Sequence, residues 1–197
     1  MVSAVVLAAG WSKRMGTKKE ILPIAGEPMI RKVVSTILDS PTVDEVIVVL
    51  GYRANDVGGE LVGITDERVE LVGNVRFSEG LGTSLAQGAR ACSWRTDAIL
   101  VFLADAPFFT AGDISALVEA HAGGAGIAVP VHGGRRGHPV LLDGTYRDAL
   151  EGLAGDAGAR HLIEKESEHV VEVELPDDAF LVDIDERVDY EAVRDGI

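Results

Sequence analysis

The chain has 197 residues, enough for one well-buried core, and its 47% hydrophobic content excludes a disordered chain. Its 32 acids against 18 bases leave a net charge of −14, which repels polynucleotides and anionic membranes. A single cysteine, Cys92, excludes an internal disulfide and a thiolate-based structural zinc site, and no apolar run approaches the roughly 20 residues of a membrane span.

Apolar, β-branched runs alternate with helical periodicity along much of the chain. Residues 2–7 read as a buried strand, and 29–38 as a helix with Ile30, Val33, Val34, Ile37 and Leu38 on one face. Strands are expected at 43–50, 69–72 and 99–103, with helices at 55–62, 84–94 and 113–122 between and after them. The second half is broken by glycines. It reads as strands at 127–131, 138–142, 170–175 and 179–184, and a closing helix at 188–194. This alternation predicts an α/β fold, with a mostly parallel sheet and helices on both faces. No repeat or linker interrupts it, so residues 1–197 are expected to be one domain. Met1 leads into the first strand without a basic leader, so a cytoplasmic location is expected. Cys92 sits in a helical apolar pattern and reads as core packing.

The first strand opens into Leu7-Ala8-Ala9-Gly10-Trp11-Ser12-Lys13-Arg14-Met15-Gly16-Thr17-Lys18-Lys19. Glycines let the backbone approach phosphate oxygens, and Arg14, Lys18 and Lys19 can neutralise phosphate charge. Five of the 18 bases lie between Lys13 and Arg31, a local positive region that suits small phosphorylated ligands. Gly10 and Gly16 stand six apart, which breaks the dinucleotide fingerprint, and Thr17 stands where a P-loop lysine would follow the second glycine. What remains is L-A-A-G-x-S-x-R-M-G-x-x-K, followed by Ile21-Leu22-Pro23 and Gly26-x-Pro28. It resembles the N-terminal signature of nucleotidyltransferases that move a nucleoside monophosphate from an NTP to an acceptor.

Asp105, in Phe102-Leu103-Ala104-Asp105-Ala106-Pro107, follows a buried strand, where it can hold Mg²⁺ or cap a turn. Relatives carry G-D-x-P there. The segment from Asn74 to Leu85 resembles the family's N-x-x-[FWY]-x-x-G-[ML]-x-x-S-[LIV]. Gly80, Thr83 and Ser84 can read a base edge, or Thr83 or Ser84 can cap the next helix. Gly137-His138-Pro139-Val140 and Gly155-Asp156-Ala157-Gly158-Ala159-Arg160 narrow the resemblance to the molybdenum-cofactor cytidylyltransferases, within the MobA-like NTP transferase superfamily. Guanylyltransferase cousins begin L-A-G-G instead. Asp183 to Tyr190 is similar to the family's D-I-D-T-P-E-D-Y ending, and also fits an acidic helix start.

The resemblance implies a Rossmann-like fold of the nucleotide-diphospho-sugar transferase type, with an NTP-binding N-terminal half and an acceptor-binding C-terminal half. The NTP, with CTP favoured, would lie on Leu7, Ala8, Ala9, Gly10, Ser12, Gly16, Asn74, Gly80, Thr83 and Ser84. Arg14, Lys19 and Asp105 would be catalytic, with Lys18 the alternative to Lys19. Asp105 and Asp185 would bind Mg²⁺, with Asp183 the alternative to Asp185. Gly137, His138, Pro139, Asp156 and Arg160 would hold a molybdopterin-type acceptor, and a molybdoenzyme would receive the product. His138 reads equally as a packed strand residue. Two rival readings remain at this point: a same-fold transferase with another phosphorylated acceptor, and a diverged cofactor-binding or oxidoreductase member.

Overall fold

A computed structural model describes residues 1–12 and 15–196. The chain begins with β1 (Val2–Ala8), a two-stranded ribbon of β2 (Pro23–Ile24) and β3 (Glu27–Pro28), and α1 (Met29–Leu38). It continues through β4 (Glu45–Leu50), α2 (Ala54–Glu60), β5 (Val69–Gly73), α3 (Leu81–Ala91), β6 (Ala98–Leu103) and α4 (Ala111–Ala122). The second half runs β7 (Ile127–His132), β8 (Arg135–Arg136), β9 (Val140–Asp143), α5 (Arg147–Glu151), α6 (Ala159–Lys165), β10 (Val170–Glu174) and α7 (Arg187–Val193).

Among the described residues the sheet has eight strands, in the order β10-β7-β9-β6-β1-β4-β5, with β8 paired to β7. β6, β1, β4 and β5 are mutually parallel, while β9 runs against both β6 and β7. The central strands are apolar at nearly every position because helices cover both faces. Ala4, Val6 and Ala8 of β1 join the core with Ile30, Val34, Val57 and Leu117 from α1, α2 and α4. Val5 and Leu7 join the opposite core with Leu85, Leu150 and Ile163 from α3, α5 and α6.

α3 lies closer to the sheet than a side chain at its middle would allow. A Cβ at Gly88 would stand 2.3 Å from Val5 Cγ1 and 3.1 Å from Val49 Cγ2. Gly88→Ala is therefore expected to destabilise the protein by about 1–3 kcal/mol, because overpacking forces the sheet and helix apart. The checking measurement is a lower urea midpoint at unchanged slope.

The α/β reading and most elements agree with the sequence, and four points are corrected. Residues 179–184 form no strand. Ala179–Leu181 is a 3-10 turn that buries Phe180, started by Asp177 Oδ1 accepting from Ala179 N–H at 3.1 Å. The strand expected from His138 starts at Val140, after the cis His138–Pro139 bond. The third helix starts at Leu81 with Gly80 as its N-cap, so neither Thr83 nor Ser84 caps it. The fourth starts at Ala111, where Thr110 and Asp113 form a capping box. Cys92 is buried, with its Sγ donating to Gly88 O at 3.3 Å. Burial, with Glu45 adding to it, pushes the thiol up to about 12, which removes thiolate chemistry at neutral pH.

Candidate active site

The carboxyl ends of β6, β1, β4 and β5 stand side by side, and the loops that follow them enclose a cleft of about 540 Å³. Backbone bonds stitch these ends together. Ala104 N–H donates to Leu7 O at 3.2 Å, Tyr52 N–H to Ala9 O at 3.1 Å and Asn74 N–H to Leu50 O at 2.7 Å.

On the β6 side, Lys19 meets two carboxylates. Its Nζ is 2.5 Å from Asp105 Oδ2 and 2.9 Å from Asp185 Oδ1. Burial alone would lower the lysine pKa, but Asp105 and then Asp185 outweigh it, and the ammonium is held above its ordinary value. Asp185 arrives from the C-terminal segment, which is fastened by Ile184 N–H donating to Asp105 O at 2.9 Å. Asp183, the alternative, keeps solvent contact. Protein packed around it, then Asp105 and Asp185, push its carboxyl up to about 6. The acidic helix start is also present: Asp189 caps α7 by accepting from Glu186 N–H at 2.7 Å.

Two carboxylates aimed at one cation are a donor set that fits a hard divalent ion. Among the described residues no group of three or more His, Cys, Asp and Glu gathers as a ready-made cage. Such an ion would take its other ligands from water and substrate phosphates, as Mg²⁺ usually does.

Lys18, the alternative to Lys19, is fully buried and lies outside the cleft lining, while Lys19 is part of that lining. Lys18 Nζ donates to Ala8 O at 3.1 Å, Gly10 O at 2.6 Å and Glu20 Oε1 at 2.7 Å. Leu7, Ala9, Gly10 and Ser12 line the cleft, whereas Ala8 is buried behind it and Gly16 is exposed outside it. Arg14, expected at the phosphates, lies outside the described residues.

On the β5 side, Asn74 Nδ2 donates to Thr83 Oγ1 and Ser84 Oγ, both at 3.0 Å. Of this trio only Ser84 reaches the cleft lining, so Asn74 and Thr83 hold the loop rather than face the cavity. Gly80, at φ +120°, packs backbone to backbone: a Cβ there would stand 2.2 Å from Gly155 O. Gly82 N–H completes the seam by donating to Gly155 O at 2.8 Å, which brings Asp156 into the cleft wall.

The remaining acceptor candidates are split between two spaces. Gly137, His138 and Arg160 line a second cavity of about 360 Å³, while Asp156 lines the first and Pro139 lines neither. Arg160 is exposed and pairs with Glu164 at 2.8 Å. Burial holds the His138 imidazole below its ordinary pKa, partly offset by the Asp105 charge, so it is neutral at pH 7.

Sequence reasoning missed the aromatic wall on the β4 side. Trp11 stacks on Tyr52 with centroids 4.8 Å apart, and Phe77 lies 5.4 Å from Trp11. The three rings come from loops after three different strands. The signal was an aromatic residue just past each strand end, which becomes visible only once β1, β4 and β5 are known to be neighbours.

MobA-like NTP transferase domains match residues 4–171. The chain is 33% identical over 198 residues to "Purine catabolism protein PucB" of Bacillus subtilis, covering 96% of this chain and 94% of that protein. The solved structure of "a nucleotidyl transferase from Methanothermobacter thermautotroptrophicus", Mth528, is 29% identical, with a TM-score of 0.83 over 99% of this chain and 96% of that one. Rv0371C of Mycobacterium tuberculosis, solved in complex with manganese, shares the fold at 22% identity and a TM-score of 0.79, covering 100% of this chain and 99% of that one. With most of β1, the glycine loop after it, the Asp105 loop and the second half as far as the start of β10 inside the matched span, the chain belongs to the MobA-like NTP transferase family.

Proposed function

We propose that the protein transfers CMP from CTP to the phosphate of a molybdopterin-type acceptor and releases pyrophosphate. The observation that carries this reading is the convergence of Lys19, Asp105 and Asp185 beside the glycine loop, in a cleft large enough for a nucleotide. An acceptor phosphate oxygen attacks the α-phosphorus. The bond from that phosphorus to the oxygen bridging to the β-phosphate breaks, and its electron pair leaves with pyrophosphate. A phosphate monoester is largely ionised near neutral pH, so no general base is needed. Lys19 places a cation beside the polyphosphate, and the loop from Ala9 to Ser12 orients it, with Arg14 assigned to the β- and γ-phosphates. A divalent ion held by Asp105 and Asp185, Mg²⁺ in this reading, would supply charge neutralisation.

Choice of CTP rests on Ala9, which is buried at the cleft wall where guanylyltransferase relatives have glycine. Its Cβ is wedged beside Gly51, where an added Cβ would stand 2.7 Å from it, so the two loops meet closely at this point of the wall. The acceptor is assigned to the second cavity because the segment from Asp156 to Arg160 runs from one space to the other. In this reading residues 1–197 act as one cytoplasmic domain. A molybdoenzyme would take the product, and PucB's name makes a purine-handling one the first to test.

The test incubates the protein with Mg²⁺, reduced molybdopterin and each NTP, and measures pyrophosphate. CTP is expected to give the highest kcat/KM, and Ala9→Gly to narrow the gap to GTP. A parent that prefers GTP overturns the cytidylyl assignment. Turnover only with a sugar phosphate overturns the pterin acceptor, and silence with every pair favours a binding or redox role.

A further inference from the structure

The cleft is lined in part by backbone that a buried ion pair holds: Lys18 lies outside the lining and Glu20 is part of it. Lys18 is fully buried and Glu20 is 3% exposed. The three hydrogens of the Lys18 ammonium go to Ala8 O, Gly10 O and Glu20 Oε1. The other Glu20 oxygen, Oε2, accepts from Ser12 Oγ at 3.0 Å. Ala9 O, between the two carbonyls on Lys18, accepts from Tyr52 N–H at 3.1 Å. Three successive carbonyls, starting at the last residue of β1, are therefore fixed.

In a trans peptide the C=O and N–H point in opposite directions, and His138–Pro139 is the one cis bond among the described residues. Fixing the Gly10 carbonyl on Lys18 thus directs the Trp11 N–H away from Lys18. Gly10 and Trp11 line the cleft and Lys18 does not, so the peptide that Lys18 fixes is part of the cleft wall. Ser12 adds a second constraint. Its φ is +49°, a region that a non-glycine residue occupies only when its surroundings hold it there. Glu20 grips its hydroxyl, Lys19 N–H donates to the same Oγ at 3.3 Å, and Met15 N–H donates to Ser12 O at 3.2 Å. A buried ion pair adds little stability over an apolar pair of similar volume, so its presence calls for another reason.

We propose that Lys18 and Glu20 form an internal brace that pre-sets the loop from Ala8 to Ser12 for a triphosphate, Lys18 as a positioning residue outside the cleft lining and Glu20 as one within its wall. The proposal rests on the nucleotide reading above. Its action is pre-organisation: a loop already held in its binding shape spends less of the binding free energy on ordering.

The test compares the parent with Lys18→Met/Glu20→Leu and with Glu20→Gln. The urea midpoint and the dissociation constants of CTP and GTP with Mg²⁺ are measured, followed by KM and kcat. The double variant is expected to stay folded with a modestly lower urea midpoint, because it frees two carbonyls but strands no charge. Its nucleotide Kd and KM should rise about ten- to hundredfold, while kcat at saturation falls far less. Glu20→Gln keeps an acceptor for Lys18 or Ser12 and is expected to retain most of the affinity. A double variant that binds nucleotide as tightly as the parent overturns the brace alone. A parent that binds no NTP overturns the brace and the nucleotide reading together. Should the double variant fail to fold, Lys18→Gln/Glu20→Gln carries the test, since it strands no charge, leaves at most two donors where the ammonium has three, and leaves Ser12, which lines the cleft itself, unaltered. Weaker nucleotide binding by that folded variant supports the brace, and unchanged binding overturns it.

Discussion

Lys19→Ala is expected to lower kcat for nucleotidyl transfer by about 100- to 1000-fold, equivalent to about 2.7–4 kcal/mol of transition-state stabilisation, with the fold retained. The side chain of Lys19 is 10% exposed and lines the cleft, and its charge is secured by Asp105 and Asp185 at 2.5 and 2.9 Å. The sign of its titration matters here. Its folded pKa lies above the ordinary lysine value, so the ammonium persists through neutral pH and its contribution fades only as pH rises past that raised value. Removing it takes away a permanent cation from the cleft in which the proposed reaction releases pyrophosphate, without opening a core cavity. The two carboxylates lose a competitor at the same time, so metal affinity of the nucleotide-free variant is expected to hold or rise while kcat falls. Steady-state pyrophosphate release and metal titration check both parts. Lys18→Ala should behave in the opposite way. It strands the buried Glu20 carboxylate and frees two carbonyls, so its main result is loss of folded protein, read by urea unfolding. Near-normal turnover in Lys19→Ala would remove this lysine from the catalytic set.

The central strands are legible because burial on both faces makes β1, β4 and β6 near-continuous apolar runs, a pattern that no solvent-facing strand shares. The second half resists the same treatment for physical reasons. Helices α5 and α6 have five and seven residues, too few turns for a 3.6-residue period to stand out. Phe180, Val182 and Ile184 alternate like a strand, yet they belong to a strap. Phe180 sits against Gly137, where a Cβ would stand 2.6 Å from the ring, and Ile184 packs with Met29 and Phe108. Alternation reports two faces of a chain, and a strap across the strand ends has two faces as well. In the site, Asp105 is marked by its place after a buried strand, and Lys19 and Asp185 only by the family resemblance; the fold brings the three together. The role of Glu20 is not legible in the sequence. Its role depends on Lys18 turning inward toward two carbonyls, a tertiary fact that no spacing rule encodes.

Asp105→Asn is expected to raise the Mg²⁺ concentration for half-maximal rate by more than about tenfold and to lower activity at saturating metal as well. The substitution keeps the size and a carbonyl oxygen but removes the charge that makes the site attractive to a hard cation. Its backbone role survives, since the Asp105 carbonyl still accepts from Ile184 N–H and keeps Asp185 in place. The loss is therefore electrostatic rather than structural, and the urea midpoint measured without metal should change little. Lys19 provides an internal control. With one of its two carboxylates neutralised, the ammonium keeps only Asp185, so its raised pKa is expected to fall back toward the ordinary lysine value. The activity of Asp105→Asn should then decline at a lower pH on the alkaline side than that of the parent, and added Mg²⁺ should not restore it. The decisive comparison is the rate against Mg²⁺ for the two proteins at one pH. Superimposable curves would reduce Asp105 to a turn residue before Pro107, whereas a shifted and lowered curve places its carboxylate on the metal.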